Sequence, residues 1–332
     1  MNPTGTAARL APLLRRAISF LPVALIVLGP GCGSSPGVTA TTEGSAATFV
    51  AFGNYPQIYD APSSLTLIWG TPDLGAGPNR LAFTLAGSQG FVTIPVLTVR
   101  SYFYASGRGG PRDGPVQTVD ARFHEFPFGT RGSYVTAAVL DRPGEWGFEA
   151  SVPRPDGTVV PIEFRTSVPV TPRAPAVGSP APRTDSPTIA SAGSLARLTT
   201  ASEPDPALYE LSIADAIATG RPTVVAFASP AFCTTPLCGP QVEVLTSLRR
   251  QFGDRANFIH VDLYEAPDEI KGDLSRARRS PSVKEWGLET DEWTFLIDRS
   301  GKIAGRYESF AFEHELRDGL SALLAGAGAH PP

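Results

Sequence analysis

Between residues 47 and 168 the apolar positions come in short runs: ATFVAF, SLTLIW, RLAFTLA, FVTIPVLTVRSYFYA, VQTVDARFHEF, SYVTAAVL, EWGFEAS and TVVPIEFRTSV. Clusters such as GTPDLGAGPN, GRGGPRDGP and PRPDGT separate them, and their prolines and glycines are turn chemistry. No helical period is present, so the spacing predicts about seven or eight strands packed as a β-sandwich. Residues 169–206, rich in proline, alanine and serine, predict an extended, semi-rigid linker.

From residue 207 the pattern changes. Ser212 and Asp215 predict a capped helix through ADAIAT that stops at Gly220. PTVVAFAS, residues 222–229, is almost wholly apolar, as expected for a strand covered on both faces. Val244, Leu245, Leu248 and Phe252 form one stripe of a helix ending near Gly253. NFIHVDLY predicts a second buried strand, residues 265–288 a polar helical insert, and WTFLID-RSG-KIAGRYE a hairpin. A last helix carries Leu316, Leu320, Leu323 and Leu324 on one face, and residues 327–332 are expected to be a disordered tail.

Composition adds boundaries. At 332 residues the chain is long for a single core, and 33 prolines with 33 glycines favour strand-rich structure with a connector. A net charge of −4 leaves no basic footprint for nucleic acid. At the N-terminus, Arg9, Arg15 and Arg16 precede the apolar stretch AISFLPVALIVL and then GPGCGSS, the pattern of an export signal over residues 1–31. Residues 32–46 predict a flexible tether. Cys32, flanked by Gly31 and Gly33, resembles the lipobox of bacterial lipoproteins, although Leu28 and Pro30 depart from it. That resemblance implies lipidation at Cys32 and a folded part held at the outer face of the cytoplasmic membrane or in the envelope.

Candidate chemistry concentrates in FASPAFCTTPLCGP, residues 227–240. If Cys32 carries lipid, Cys233 and Cys238 remain as an even pair in a compartment where disulfides persist. Residues five apart in a regular helix are separated by about 8–9 Å, too far for a disulfide. With Thr235 as N-cap and Pro236 as first helical residue, Cys233 falls in the loop and Cys238 in the first turn, and a bond becomes feasible. Such a helix start also lowers a thiol pKa.

AFASPAFCTTPLCGP and the closing hairpin resemble thioredoxin-like proteins over residues 207–326. DRPGEWGFEASV resembles a late strand of immunoglobulin-like envelope domains. These resemblances imply two domains: an all-β immunoglobulin-like sandwich and an α/β thioredoxin-like fold. They imply Cys233 as nucleophile and Cys238 as resolving thiol, no organic cofactor, and envelope protein thiols and disulfides as partners. Cys238-Gly239-Pro240-Gln241 leaves open a register in which Cys238 attacks. Pro230, Phe232, Glu292 and Trp293 are candidate substrate contacts, with Glu292 standing where the family has a cis-proline. PTVVAFAS lacks the family's buried acid.

Two alternatives stay open. In Sco-like copper handling, the two thiolates and a third ligand, for which His260 is the candidate, would bind Cu(I). In a non-catalytic surface module, the cysteines would form a permanent staple. His124 and His314 receive no role. SRARR, residues 275–279, is read as a solvated helix face, and Trp286 and Trp293 as packing near the cysteine loop.

Overall fold

The computed structural model describes residues 49–326 except 53, 54, 108, 128 and 130, with backbone alone for 49–52. The export signal, the tether, Cys32 and the C-terminal tail lie outside the described residues. Ten strands come first: β1 (Phe49–Phe52), β2 (Tyr55–Asp60), β3 (Leu65–Trp69), β4 (Gly77–Gly87), β5 (Gly90–Phe91), β6 (Val96–Tyr104), β7 (Asp113–Glu125), β8 (Gly132–Leu140), β9 (Gly144–Pro153) and β10 (Val159–Val168). They form one hydrogen-bonded antiparallel path, β1-β2-β3-β4-β8-β7-β6-β9-β10, with β5 added to β4. β10 returns against β2, so the sheet is nearly closed and barrel-like. Inside it, Trp69 packs on Phe148 and Phe164 at ring distances of 5.7 and 4.2 Å. Trp146, Tyr134, Leu81 and Ile162 complete this apolar filling.

A four-stranded sheet follows, in the order β12-β11-β13-β14, from β11 (Thr223–Phe227), β12 (Asn257–Val261), β13 (Trp293–Ile297) and β14 (Ile303–Glu308). Only β11 and β12 are parallel; β13 pairs antiparallel with both β11 and β14. Every residue of β11, β12 and β13 is buried, which explains their unbroken apolar runs. The helices are α1 (Ile189–Ala192), α2 (Ile213–Ala218), α3 (Cys238–Phe252), α4 (Pro281–Glu285) and α5 (Glu313–Leu324). Ser212 caps α2 through Asp215 N, and α5 buries Leu316, Leu320 and Leu323, while Leu324 is only partly covered. No helix among the described residues is long and apolar enough to cross a membrane.

The expected fold class is therefore corrected. The chain is mostly β, and its first half is one curled sheet where two stacked sheets of an immunoglobulin-like sandwich were expected. The long strands β4 and β7, of 11 and 13 residues, carry the sheet around on itself, and a register shift between Ser101 and Phe103 adds local bending. The second half is not the expected α/β thioredoxin-like fold: its sheet is dominated by antiparallel pairs, and among the described residues only α3 and α5 exceed six residues. The insert is also less helical than expected, with two short 3-10 turns before the five-residue α4.

The described chain is one compact unit. Residues 169–206, read from sequence as a spacer, are stitched along the second sheet. Gly178 N donates to Ile303 O at 2.7 Å, Ile303 N to Ser179 O at 2.9 Å, and Ala181 N to Gly301 O at 2.9 Å. Trp286 Nε1 donates to Thr184 Oγ1 at 2.8 Å, while Ala174 and Ala181 are buried. The two sheets are joined by Arg80, which grips Glu315 at the start of α5, and by Arg306, which grips Asp73.

Candidate functional site

After β11 the chain leaves the sheet at Ala228 and Ser229, both buried, and turns through Pro230–Leu237 before α3. Cys233 N donates to Ser229 O at 3.0 Å, closing the first turn. Cys233 and Cys238 are joined in a disulfide, their Cα atoms 6.1 Å apart. Cys238 is the first residue of α3 and fully buried; Cys233 is half-buried. The expected cap is corrected: α3 starts two residues later than Pro236, Leu237 is its N-cap, and no side chain caps it. The Thr235 hydroxyl instead accepts from Leu237 N at 3.4 Å and lies 3.8 Å from Cys233 Sγ. Cys238 thus sits among the free N–H groups of a helix start, where negative charge is favoured.

The loop is anchored from below by Asp291, a residue the sequence did not single out. Its Oδ2 accepts from Thr234 N at 3.1 Å and from Thr234 Oγ1 at 3.0 Å. Its Oδ1 accepts from Arg279 Nη1 at 2.8 Å, and its carbonyl accepts from Tyr55 Oη. Burial first, then the neighbouring acids Glu292, Glu308 and Asp291, push the Tyr55 hydroxyl well above its ordinary pKa and keep it a donor. One residue therefore ties together three parts: its carboxylate holds the cysteine loop and the insert, and its carbonyl holds the first sheet. Arg279 is corrected from solvated to engaged: it closes a salt bridge on a carboxylate that is 1% exposed.

The other sequence-predicted residues fall in different places. Pro230 and Phe232 are half-buried beside Cys233, with Phe232 edge-on to Tyr264 at 6.3 Å. Glu292 and Trp293 are buried and offer no surface to a visiting chain. Glu292 has φ of 70°, an uncommon left-handed setting for this residue, and neither carboxylate oxygen has a hydrogen-bond partner. Burial, reinforced by Asp291, pushes its carboxyl well above the ordinary range, so it is held neutral. Trp293 stacks on Phe295 at 5.5 Å and donates to Thr290 Oγ1; Trp286 packs between Phe227 and Phe295 and donates to Thr184.

His260 is a bonded core histidine. Nδ1 lies 2.7 Å from Tyr209 Oη and Nε2 lies 3.0 Å from Ala228 O. Burial lowers its pKa to about 4, so the ring is neutral, donating to the carbonyl and accepting from the tyrosine. With both nitrogens in use it is not free to complete a copper site with the thiolates. Gln241, which replaces the second cysteine of the alternative register, is buried and bonds Ala311 N at 2.8 Å. His124 and His314 lie ring to ring at 4.6 Å near Phe312, on the seam between the sheets.

Two buried acids complete the electrostatics. Glu308 accepts from Thr290 Oγ1 at 2.6 Å and from Asp73 N at 2.8 Å, and burial pushes its carboxyl up to about 8. Asp262, just past β12, borders a cavity of about 420 Å³, and burial pushes it up to about 7. Neither carries a local sequence signal beyond an acid at the end of an apolar strand.

The assembled site is a disulfide with one approachable and one sheltered sulfur, held on a rigid anchor. No protein-family model matches the chain, and no curated protein matches it.

Proposed function

We propose that this protein is an exported thiol–disulfide oxidoreductase, anchored in the envelope by lipid on Cys32, that acts through Cys233 and Cys238. The observation that carries this reading is the asymmetry of the pair: Cys233 is half-buried in a loop, while Cys238 is buried at the first position of α3. A pair kept only as a staple has no need of that asymmetry, whereas exchange requires one sulfur to meet the partner and the other to stay back.

In the reduced protein, the Cys233 thiolate attacks one sulfur of a substrate disulfide. A mixed disulfide forms, and the substrate's other sulfur leaves as a thiolate. Cys238, deprotonated at the helix start, then attacks Cys233 Sγ. The mixed disulfide breaks, the second substrate thiolate leaves, and the Cys233–Cys238 bond is restored. Two electrons pass from protein to substrate, and the substrate thiolates take protons from solvent. The reverse sequence oxidises a dithiol substrate; a partner protein dithiol or disulfide in the envelope resets the pair.

The test is reduction of insulin disulfides by the full chain with dithiothreitol as reductant. Activity should be lost in Cys233→Ser. Cys238→Ser should trap a mixed disulfide through Cys233, seen by mass spectrometry under non-reducing conditions. Equal rates for wild type and Cys233→Ser would leave the pair as a staple.

A further inference from the structure

The cysteine loop does not face open solvent on all sides. Thr234, Thr235, Pro236 and Leu237 form one wall of a cavity of about 190 Å³, and the outer face of the first sheet forms the other. Ile68, Phe91 and Phe126 supply most of the facing hydrocarbon, and Arg131 stands at the rim. The cavity adjoins the cysteine pair: the Thr235 hydroxyl on its wall lies 3.8 Å from Cys233 Sγ.

The lining specifies what can enter. Most of its polar side chains are already bonded to protein. Thr84 Oγ1 donates to Gly132 O at 2.9 Å and lies 3.0 Å from Ser133 Oγ. Tyr55 Oη and Thr234 Oγ1 both donate to Asp291, and Thr235 Oγ1 accepts from Leu237 N. A polar guest would lose water and gain little, whereas an apolar guest gains burial. A dry cavity of about 150 Å³ lined by aliphatic and aromatic side chains holds a benzene ring, so this one fits a single aromatic side chain.

The rim adds a charge preference. Arg131 is exposed, its guanidinium lies 5.5 Å over the Phe91 ring, and among the described residues no carboxylate pairs with it. A substrate with an acidic residue beside its aromatic one would meet it.

We propose that this cavity is the side-chain pocket of the exchange site. It takes one aromatic residue of the substrate polypeptide, close in sequence to the substrate's cysteine, with an acidic neighbour against Arg131. The proposal rests on the exchange reading for its role, but the pocket itself is testable without exchange. A residue advances the chain by at most about 3.6 Å, so an aromatic residue one or two positions from a cysteine held at Cys233 stays within about 7 Å of it, on the side of the Thr235 wall.

The experiment uses the oxidised full chain and short peptides in which serine replaces the substrate cysteine, so that only non-covalent binding is read by calorimetry. The parent peptide carries Asp-Phe before the serine; the controls replace Phe by Ala, or Asp by Lys. Burying a phenyl group is worth about 2–3 kcal/mol, so Phe→Ala should weaken Kd by roughly 30- to 150-fold. Ile68→Trp, which fills the cavity, should erase that ratio. Arg131→Glu, at an exposed position, should reverse the preference between Asp and Lys. Equal Kd values for the Phe and Ala peptides, or a ratio that survives Ile68→Trp, would overturn the pocket. Reduction of glutathione disulfide by the wild-type protein is measured in parallel. Its absence with an intact Phe/Ala ratio sinks the exchange reading and leaves the pocket; its presence with no ratio does the reverse.

Discussion

Replacing Glu315 by leucine tests what welds the two sheets together. Arg80 lies on β4 and Glu315 in the first turn of α5, with side chains 2% and 4% exposed. The contact is bidentate, Nε to Oε1 at 2.7 Å and Nη2 to Oε2 at 2.9 Å. The guanidinium also donates to Glu308 O at 2.9 Å and Phe310 O at 2.8 Å. Burial alone would pull the Arg80 pKa down, yet the charge and hydrogen bonds of Glu315 hold it above the ordinary value. Glu315 Oε2 additionally accepts from Phe312 N at 3.0 Å, satisfying a free N–H of the helix start.

Glu315→Leu strands a guanidinium in the interior and should cost about 3–5 kcal/mol. At about 2–4 °C per kcal/mol for a protein of this size class, Tm should fall by roughly 6–20 °C. The double variant Arg80→Leu/Glu315→Leu removes both charges together and should be far milder than the sum of the two single changes, giving a coupling energy of about 2 kcal/mol or more. The assay is urea unfolding followed by near-ultraviolet circular dichroism, with the four proteins of the cycle side by side. A Glu315→Leu loss under 1 kcal/mol, or strictly additive single variants, would refute the weld.

Other outcomes follow from the same geometry. Asp291→Ala removes two hydrogen bonds to Thr234, each worth about 1.5 kcal/mol as bonds to a charged acceptor, so the loop should loosen; alkylation of the reduced protein should label Cys238 at least tenfold faster, and an unchanged rate would show that Asp291 does not hold the loop. Glu308 and Asp262 have folded pKa values of about 8 and about 7 against ordinary values of 4.5 and 3.8. Raised acids bind their protons more tightly when folded, so their stabilisation is complete below about pH 4 and is lost as pH rises through 7 and 8, on the order of 4–5 kcal/mol each. Urea midpoints should therefore decline between pH 5 and 8, and Glu308→Gln should flatten the decline; a midpoint rising over that range would contradict the burial argument. Glu292→Gln keeps the shape of a neutral group and removes one that resists ionisation, so it should leave stability at pH 5 nearly unchanged and raise it above pH 8, as read by Tm at both pH values.

Local pattern carried the elements but not their assembly. The buried strand at 223–227, the hairpin strand at 293–297, the α3 stripe of Val244, Leu245 and Leu248, and the Asp298–Gly301 turn were all legible, because each depends on neighbours in sequence. The class built from them was not legible. The strand order of the first sheet depends on β4 meeting β8 and β6 meeting β9, and its near closure on β10 meeting β2, pairings of distant segments that alternation cannot specify. The Cys233–Cys238 pair stood out because cysteine is rare in this chain, whereas Asp291, its anchor, is one acid among 32 Asp and Glu residues. Arg80 and Glu315 are 235 positions apart, so nothing local couples them. The packing of residues 169–206 was hidden because proline, alanine and serine describe a free spacer and a close-fitting strap equally well.

The most direct test of the central claim is a redox titration of Cys233–Cys238 in glutathione and dithiothreitol buffers, read by alkylation and mass spectrometry. An exchanging pair should show a midpoint between about −270 and −120 mV, the span of known exchange proteins. A midpoint below about −300 mV, where structural disulfides lie, would contradict it.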